Sequence, residues 1–397
     1  MLYKLSSKQR AEISKQVNIN SGPIMFFEGP RTQKRSEHLF MISIAAGGAS
    51  FPAPAYLAAI SAFQKQYPRA PQVVYSTSNS GTGQTGVHSG IYQWGGSDIA
   101  LNPAIISATP PSQASWLVAL PAIGGGLLIS YNVPGLQTLK LSRKVLPRIF
   151  DGTIRVWNHP LLVSDNPALG GVDQPIMVIR RSPGSGSTVN LVEGLKSMDI
   201  SLGFTESPFL KDGATLSLNN SILVGTNNAA GTIVGNYPYT LTYMSQYEYI
   251  QEHMAESSSN CYVATLQHMN REFIDWNAKS LGAAMSAVNQ QKLDELNVTS
   301  GSLYVLDSPT PGSYPLTIIS NIVINLKNIS VDYESTVWTA RFLWWYLMNP
   351  NYTQAESYLS VFNTSIGTKT LEALKAIEFK GMRLHVTISG SRHRMHL

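Results

Sequence analysis

Gly47-Gly48-Ala49-Ser50-Phe51-Pro52-Ala53-Pro54 is the stretch of this 397-residue chain on which the fold turns. Before it, residues 39–46 form an apolar run of strand length. After it, Leu57, Ala59, Ile60, Phe63 and Tyr67 recur at helical spacing, with Pro54 near the first turn. A strand that runs through a Gly/Ser turn into a helix presents the unsatisfied N–H groups of the first helical turn, and a serine hydroxyl beside them adds a further donor. Two more such turns follow, Asn79-Ser80-Gly81-Thr82-Gly83 and Gly184-Ser185-Gly186-Ser187-Thr188. N-capping alone explains any one of them. Arg180-Arg181 directly before the third turn and Asp98 after the second add charged groups that capping does not require.

Working outward, strand-like and helix-like segments alternate along most of the chain, which points to an α/β architecture. Strands are expected at residues 72–77, 117–120, 127–131, 176–180, 239–244 and 317–324, the third and second meeting at Gly124-Gly125-Gly126. Helices are expected at 84–93, 142–150, 188–195, 273–288, 334–348 and 368–377. In the helix at 334–348, Trp338, Phe342, Leu343, Tyr346 and Leu347 form a core-facing stripe. Residues 1–36 and those after 381 show no sustained period and read as appendages.

Composition narrows the function. With 43% hydrophobic and 13% charged residues the chain can bury a large core, and disorder or coiled coil is excluded. The net charge of +5 is carried by the ends. Residues 1–36 hold +5 and residues from 380 onward hold +4, which leaves −4 on the body. A negative body does not suit nucleic acid. One cysteine, Cys261, excludes an intrachain disulfide and a Cys-rich zinc site. No apolar stretch reaches the ~20 residues of a membrane span. No standard signal peptide stands at Met1, although residues 39–46, preceded by Lys34 and Arg35, also fit a displaced signal core.

Signals for catalysis are missing. Pro183 occupies the place where a Gly-x-Ser-x-Gly elbow around Ser185 needs glycine, and there is no His-Glu-x-x-His or Gly-Lys-Ser/Thr loop. Gly81-Thr82-Gly83-Gln84-Thr85-Gly86 has the letters of a dinucleotide fingerprint, but Asp98 follows too soon for a βαβ crossover between them. No metal ligands, catalytic residues or cofactor are expected.

The segments 47–54, Tyr75 to Gly83 and Gly96-Ser97-Asp98 resemble, in order and spacing, the ligand-binding segments of the periplasmic phosphate-binding proteins of phosphate ABC transporters. Tyr131-Asn132-Val133-Pro134-Gly135, Ile149-Phe150-Asp151-Gly152 with Trp157-Asn158, and residues 180–187 continue the resemblance. Gly225-Thr226-Asn227-Asn228, residues 239–243 and Tyr314-Pro315-Leu316-Thr317 look like weakened counterparts of later landmarks.

The resemblance implies a type II periplasmic-binding-protein clamshell, each domain a mixed sheet flanked by helices. Residues 38–130 with 314–382 would form one domain and 131–313 the other, between a basic N-terminal appendage (1–37) and a basic C-terminal tail (383–397). The chain would cross between domains near residues 129–132 and again near Tyr314. Inorganic phosphate would be held by Ser50, the Phe51 amide, Ser80, Asp98, Arg181, Ser185, the Gly186 amide and Ser187. Arg181 would be a bidentate clamp. Asp98 would accept the proton that phosphate carries at neutral pH and sulfate lacks. A monomer, a membrane permease as partner and a periplasmic or extracellular location also follow from the resemblance. Ser50 and Ser187 stand where the family commonly has threonine. Pro183 replaces the family's aspartate that pairs with the arginine, so Arg181 is expected to be less restrained. The alternatives are an enzyme of phosphate esters on the same fold and an extracellular structural or adhesive protein that has lost affinity.

Overall fold

The structure is a computed structural model. It describes residues 24–28, 43–110, 112–113, 116–199, 221–255, 260–288, 305–355, 358–361 and 364–389. The main strands are β1 (Ile24–Glu28), β2 (Ser43–Ala49), β3 (Gln72–Ser78), β4 (Trp94–Ser97), β5 (Leu117–Asn132), β6 (Met177–Arg181), β7 (Ser221–Val224), β8 (Thr240–Ser245), β9 (Thr317–Asn325) and β10 (His385–Ser389). The helices are α1 (Ala53–Gln66), α2 (Ser80–His88), α3 (Gly186–Met198), α4 (Asn227–Asn236), α5 (Gln246–Ala255) and α6 (Tyr333–Met348).

One continuous sheet runs in the order β3-β2-β4-β9-β5-β8-β6-β7. Pairing is parallel at its two ends (β3-β2-β4 and β8-β6-β7) and antiparallel across the middle (β4-β9-β5-β8). Strand β5 joins the halves. Its residues from Leu117 to Gly126 pair with β9 and those from Leu127 to Asn132 with β8, so partners are exchanged at Gly126/Leu127. Consecutive glycines weaken an isolated strand. Here the neighbouring strands and the Gln246 side chain, whose Oε1 accepts from the Gly126 N–H at 2.8 Å, hold the backbone extended. The two strands expected at the glycine run are therefore one.

Two aliphatic and aromatic clusters flank the exchange. One gathers Ile44, Phe63, Trp94, Ile322 and Phe342 around Tyr56, whose ring meets Tyr75, Trp94 and Tyr346 edge-on at 5.1–5.3 Å. The other holds Leu127, Tyr131, Leu146, Phe150, Trp157, Leu191, Leu241 and Tyr243. Of the stripe expected on α6, Phe342, Leu343, Tyr346 and Leu347 are buried, while Trp338 lies at the margin beneath the Arg341 guanidinium, 4.7 Å from its centroid.

Other elements also differ from the sequence reading: the helix expected at 84–93 runs instead from Ser80 to His88. The helix expected at 273–288 begins late: Phe273–Ile274 is a strand, and the helix covers only Ala278–Ser286. Asn277 starts it through a capping box with Ser280, and that local signal overrides the apolar period before it. The ends are not two separate appendages either. β1 and β10 form an antiparallel ribbon from Ile24↔Ser389 to Glu28↔His385, a pairing across more than 350 residues that no local pattern encodes. The strongly basic flanks beyond this ribbon lie outside the described residues. Among the described residues no helix is long and apolar enough to cross a membrane.

Candidate anion site

Three helix starts converge on one place. β2 delivers Ser50 and Phe51 ahead of α1, β3 delivers Ser80 as the first residue of α2, and β6 delivers Arg181 and then the start of α3. Ser50, Phe51, Ser80, Asp98, Arg181, Ser185 and Ser187 are all buried. The turns interlock: the Gly81 N–H donates to Gly184 O at 3.2 Å, and Asn190 Nδ2 on α3 donates to Asp98 O at 2.7 Å. Gly186 must be glycine, because a Cβ there would lie 2.2 Å from Ser80 Oγ and 2.9 Å from Asp98 Cβ.

The capping and functional roles of the serines separate. Ser185 caps α3, accepting from the Thr188 N–H at 3.3 Å, whereas α2 is capped by Asn79 at 2.8 Å from the Thr82 N–H. Ser80 is freed from capping. Its Oγ accepts from the Asp98 N–H at 3.0 Å, and its own proton remains available to donate. Ser187 Oγ is buried with no hydrogen-bond partner among the described residues, and so is Arg181 Nε. Leaving such a donor unmet costs about 1–3 kcal/mol.

Arg181 is only 3% exposed and tightly held. Its Nη1 donates to Ser50 Oγ at 3.0 Å and to Asn227 Oδ1, and its Nη2 donates to Gly225 O at 2.6 Å. Its backbone N–H donates to the Tyr243 hydroxyl at 3.0 Å, which also meets Thr188 Oγ1 at 2.6 Å. The looseness expected from Pro183 is therefore absent. The start of α4 supplies a side-chain amide and a backbone carbonyl in place of a carboxylate.

Asp98, 4% exposed, accepts from Ser320 Oγ at 2.8 Å through Oδ1. Burial pushes its carboxyl up to about 6, opposed by the Ser320 hydrogen bond, by the charge of Arg181, which acts through space, and by the Ser187 hydroxyl, which approaches the carboxyl without reaching hydrogen-bond geometry. Burial likewise pulls Arg181 below its ordinary value, although a guanidinium stays charged. Ser320, Asn190 and Tyr243 were not singled out from the sequence. Only Ser320 left a trace there, as part of a polar Ser320-Asn321 pair inside an otherwise apolar strand. Among the described residues no group of three His, Cys, Asp or Glu could hold a metal ion.

Residues 27–347 match the model of the PBP superfamily domain. The chain belongs to this superfamily. It is 29% identical over 286 residues to the phosphate-binding protein PstS of Haemophilus influenzae, covering 71% of this chain and 78% of that protein. Two solved structures share the fold. A high-affinity periplasmic phosphate-binding protein, PfluDING, solved with phosphate bound, has a TM-score of 0.64 at 17% identity, over 83% of this chain and 93% of its own. A phosphate-binding protein from Stenotrophomonas maltophilia has a TM-score of 0.59 at 18% identity, over 83% and 92%. The chain is thus a distant homologue of the PstS proteins with an α/β fold of mixed sheets, like the type II periplasmic phosphate-binding proteins.

In this PBP-superfamily chain a second buried carboxyl stands behind the site. Glu248 on α5 accepts from Ser245 Oγ. Ser245 Oγ lies 3.0 Å from the Tyr358 hydroxyl, which donates to Phe51 O in the first Gly/Ser turn. Burial pushes Glu248 up to about 7, opposed by the Ser245 hydrogen bond and the charge of Arg181. A carboxyl whose folded value exceeds its ordinary 4.5 favours the fold while protonated, so its contribution is lost as pH rises from about 4.5 to 7 and is level above that. Asp98 acts in the same sense up to about 6. At 1.36 kcal/mol per pH unit, Glu248 accounts for a fall of about 3 kcal/mol. Urea midpoints at pH 5 and pH 8 should accordingly drop less in Glu248→Gln than in the unaltered protein. An equal drop in both would show that Glu248 titrates normally.

Proposed function

We propose that the protein captures inorganic phosphate between residues 38–130 with 314–382 on one side and 131–313 on the other, and releases it unchanged. The observation that carries this reading is a cation and an acid, Arg181 and Asp98, both buried and yet not paired with each other. Burying opposite charges apart is costly unless a ligand completes them. An anion satisfies Arg181, Ser50, Ser80, Ser187 and the N–H groups of Phe51 and Gly186, but it would repel Asp98 unless it brings a proton for that carboxylate to accept. Phosphate at neutral pH meets both conditions.

The names of the relatives support the same reading: the Haemophilus protein is a phosphate-binding protein, and PfluDING is periplasmic and holds phosphate. A membrane permease as receiver, an extracellular or periplasmic setting and action as a monomer belong to this proposal. Calorimetric titration with phosphate, sulfate and a chromogenic phosphate ester tests it. Phosphate is expected to bind and sulfate not to compete. Turnover of the ester would favour an enzyme instead, and no heat with any of the three would favour a structural protein.

A further inference from the structure

We propose that Asn227, the first residue of α4, is itself a ligand of the captured anion as well as the residue that aims Arg181. The inference rests on the anion reading above. A guanidinium only donates, so the Asn227 oxygen must face Arg181 Nη1, and turning the amide over would set two donors against each other. That fixes Asn227 Nδ2 on the other side. Asn227 is fully buried, and its Nδ2 has no hydrogen-bond partner among the described residues. A residue kept only for packing or for aiming Arg181 has no use for a stranded buried NH2, since buried donors are nearly always met.

Its surroundings place it at the ligand. Ser50 Oγ lies 3.0 Å from Arg181 Nη1 and 3.5 Å from the Asn227 N–H, so Asn227 touches two members of the site through separate atoms. Thr226 caps α4 by accepting from the Ala229 N–H at 3.2 Å, which leaves the first-turn N–H of Asn227 turned toward Ser50. The ten-residue α4 is therefore a fourth helix start at the site, its Asn227 N–H resting on Ser50, and its side-chain amide adds a neutral donor. Being neutral, Asn227 holds Arg181 without cancelling its charge. As a donor only toward the ligand, it strengthens binding of protonated and unprotonated oxyanions alike and leaves their discrimination to Asp98.

Asn227→Asp separates the two roles. A carboxylate would hold Arg181 at least as well but could not donate and would add a negative charge. The unaltered chain, Asn227→Asp and Asn227→Ser are titrated with phosphate at pH 8 and fixed salt. At least a tenfold loss is expected in Asn227→Asp, with a smaller loss in Asn227→Ser, which keeps a hydroxyl donor. Phosphate binding by Asn227→Asp equal to or tighter than that of the unaltered chain would reduce Asn227 to a positioning residue and overturn the inference. Failure of the unaltered chain to bind phosphate would instead overturn the anion reading. Should the aspartate variant not fold, the side-chain amide spectrum of the 15N-labelled unaltered chain decides: one asparagine NH2 pair should shift on saturation with phosphate, and no shift in any pair overturns the inference.

Discussion

Arg181→Ala is expected to weaken phosphate binding at least a hundredfold. A hydrogen bond to a charged group contributes about 1.5–3 kcal/mol, and every 1.4 kcal/mol is a factor of ten in affinity, so loss of the unmet Nε donor together with the buried positive charge is enough. The guanidinium is aimed before any anion arrives, by Ser50, Asn227 and Gly225, so no ordering of a mobile side chain offsets its contribution. The substitution also removes the cation that favours the ionised form of Asp98, and the Asp98 carboxyl should move further upward. Residual binding should therefore lose its preference for phosphate over sulfate. Arg181→Lys keeps the charge but not the planar fork, and an intermediate loss is expected. Calorimetry on both variants, with thermal midpoints to show that they fold, checks this. Unchanged affinity in Arg181→Ala would remove the residue from the site.

Asp98→Asn is expected to admit sulfate. Asp98 takes the Ser320 hydrogen bond on Oδ1 and has its backbone pinned by Ser80 and Asn190, so an asparagine can sit in the same place with its oxygen toward Ser320 and its NH2 toward the ligand. An amide donates to an oxyanion that carries no proton, where a carboxylate repels it. The unaltered protein should show the same relaxation with pH. Below about 6 the Asp98 carboxyl takes up a proton and becomes a donor, so sulfate should begin to displace labelled phosphate as pH falls through that value and should fail to do so at pH 8. Competition curves at pH 5 and pH 8 read both effects. Equal exclusion of sulfate by the aspartate and asparagine forms at pH 8 would show that the discriminator lies elsewhere.

The candidate site was legible in the sequence wherever it is built from consecutive residues. Ser50, Ser80, Ser185 and Gly186 sit at strand-to-helix turns whose signals are local: an apolar run, a Gly/Ser turn and a helical period. Arg181 and Asp98 stand out because charge is rare beside such turns in a chain with 13% charged residues. The alternation of strands and helices likewise follows from side-chain periodicity and marks the chain as α/β. Local pattern failed where a longer-range partner competes with it. The glycine run at 124–126 reads as a break until β8, β9 and Gln246 are in place, and the ends read as appendages until β1 meets β10.

By itself, then, the sequence determined the α/β class, the three anion-ready turns and the pair of charged residues that accompany them, because each depends on interactions within a few residues. Only the tertiary structure decided who holds those charged residues. Ser320 reaches Asp98 from 222 positions away, and Asn227 and Gly225 reach Arg181 from more than 40, in place of the carboxylate that Pro183 displaces. A buried polar group accepts whichever donor or acceptor the packed elements bring to it, and that choice is fixed by strand order and helix placement, which the spacing of residues along one chain does not carry.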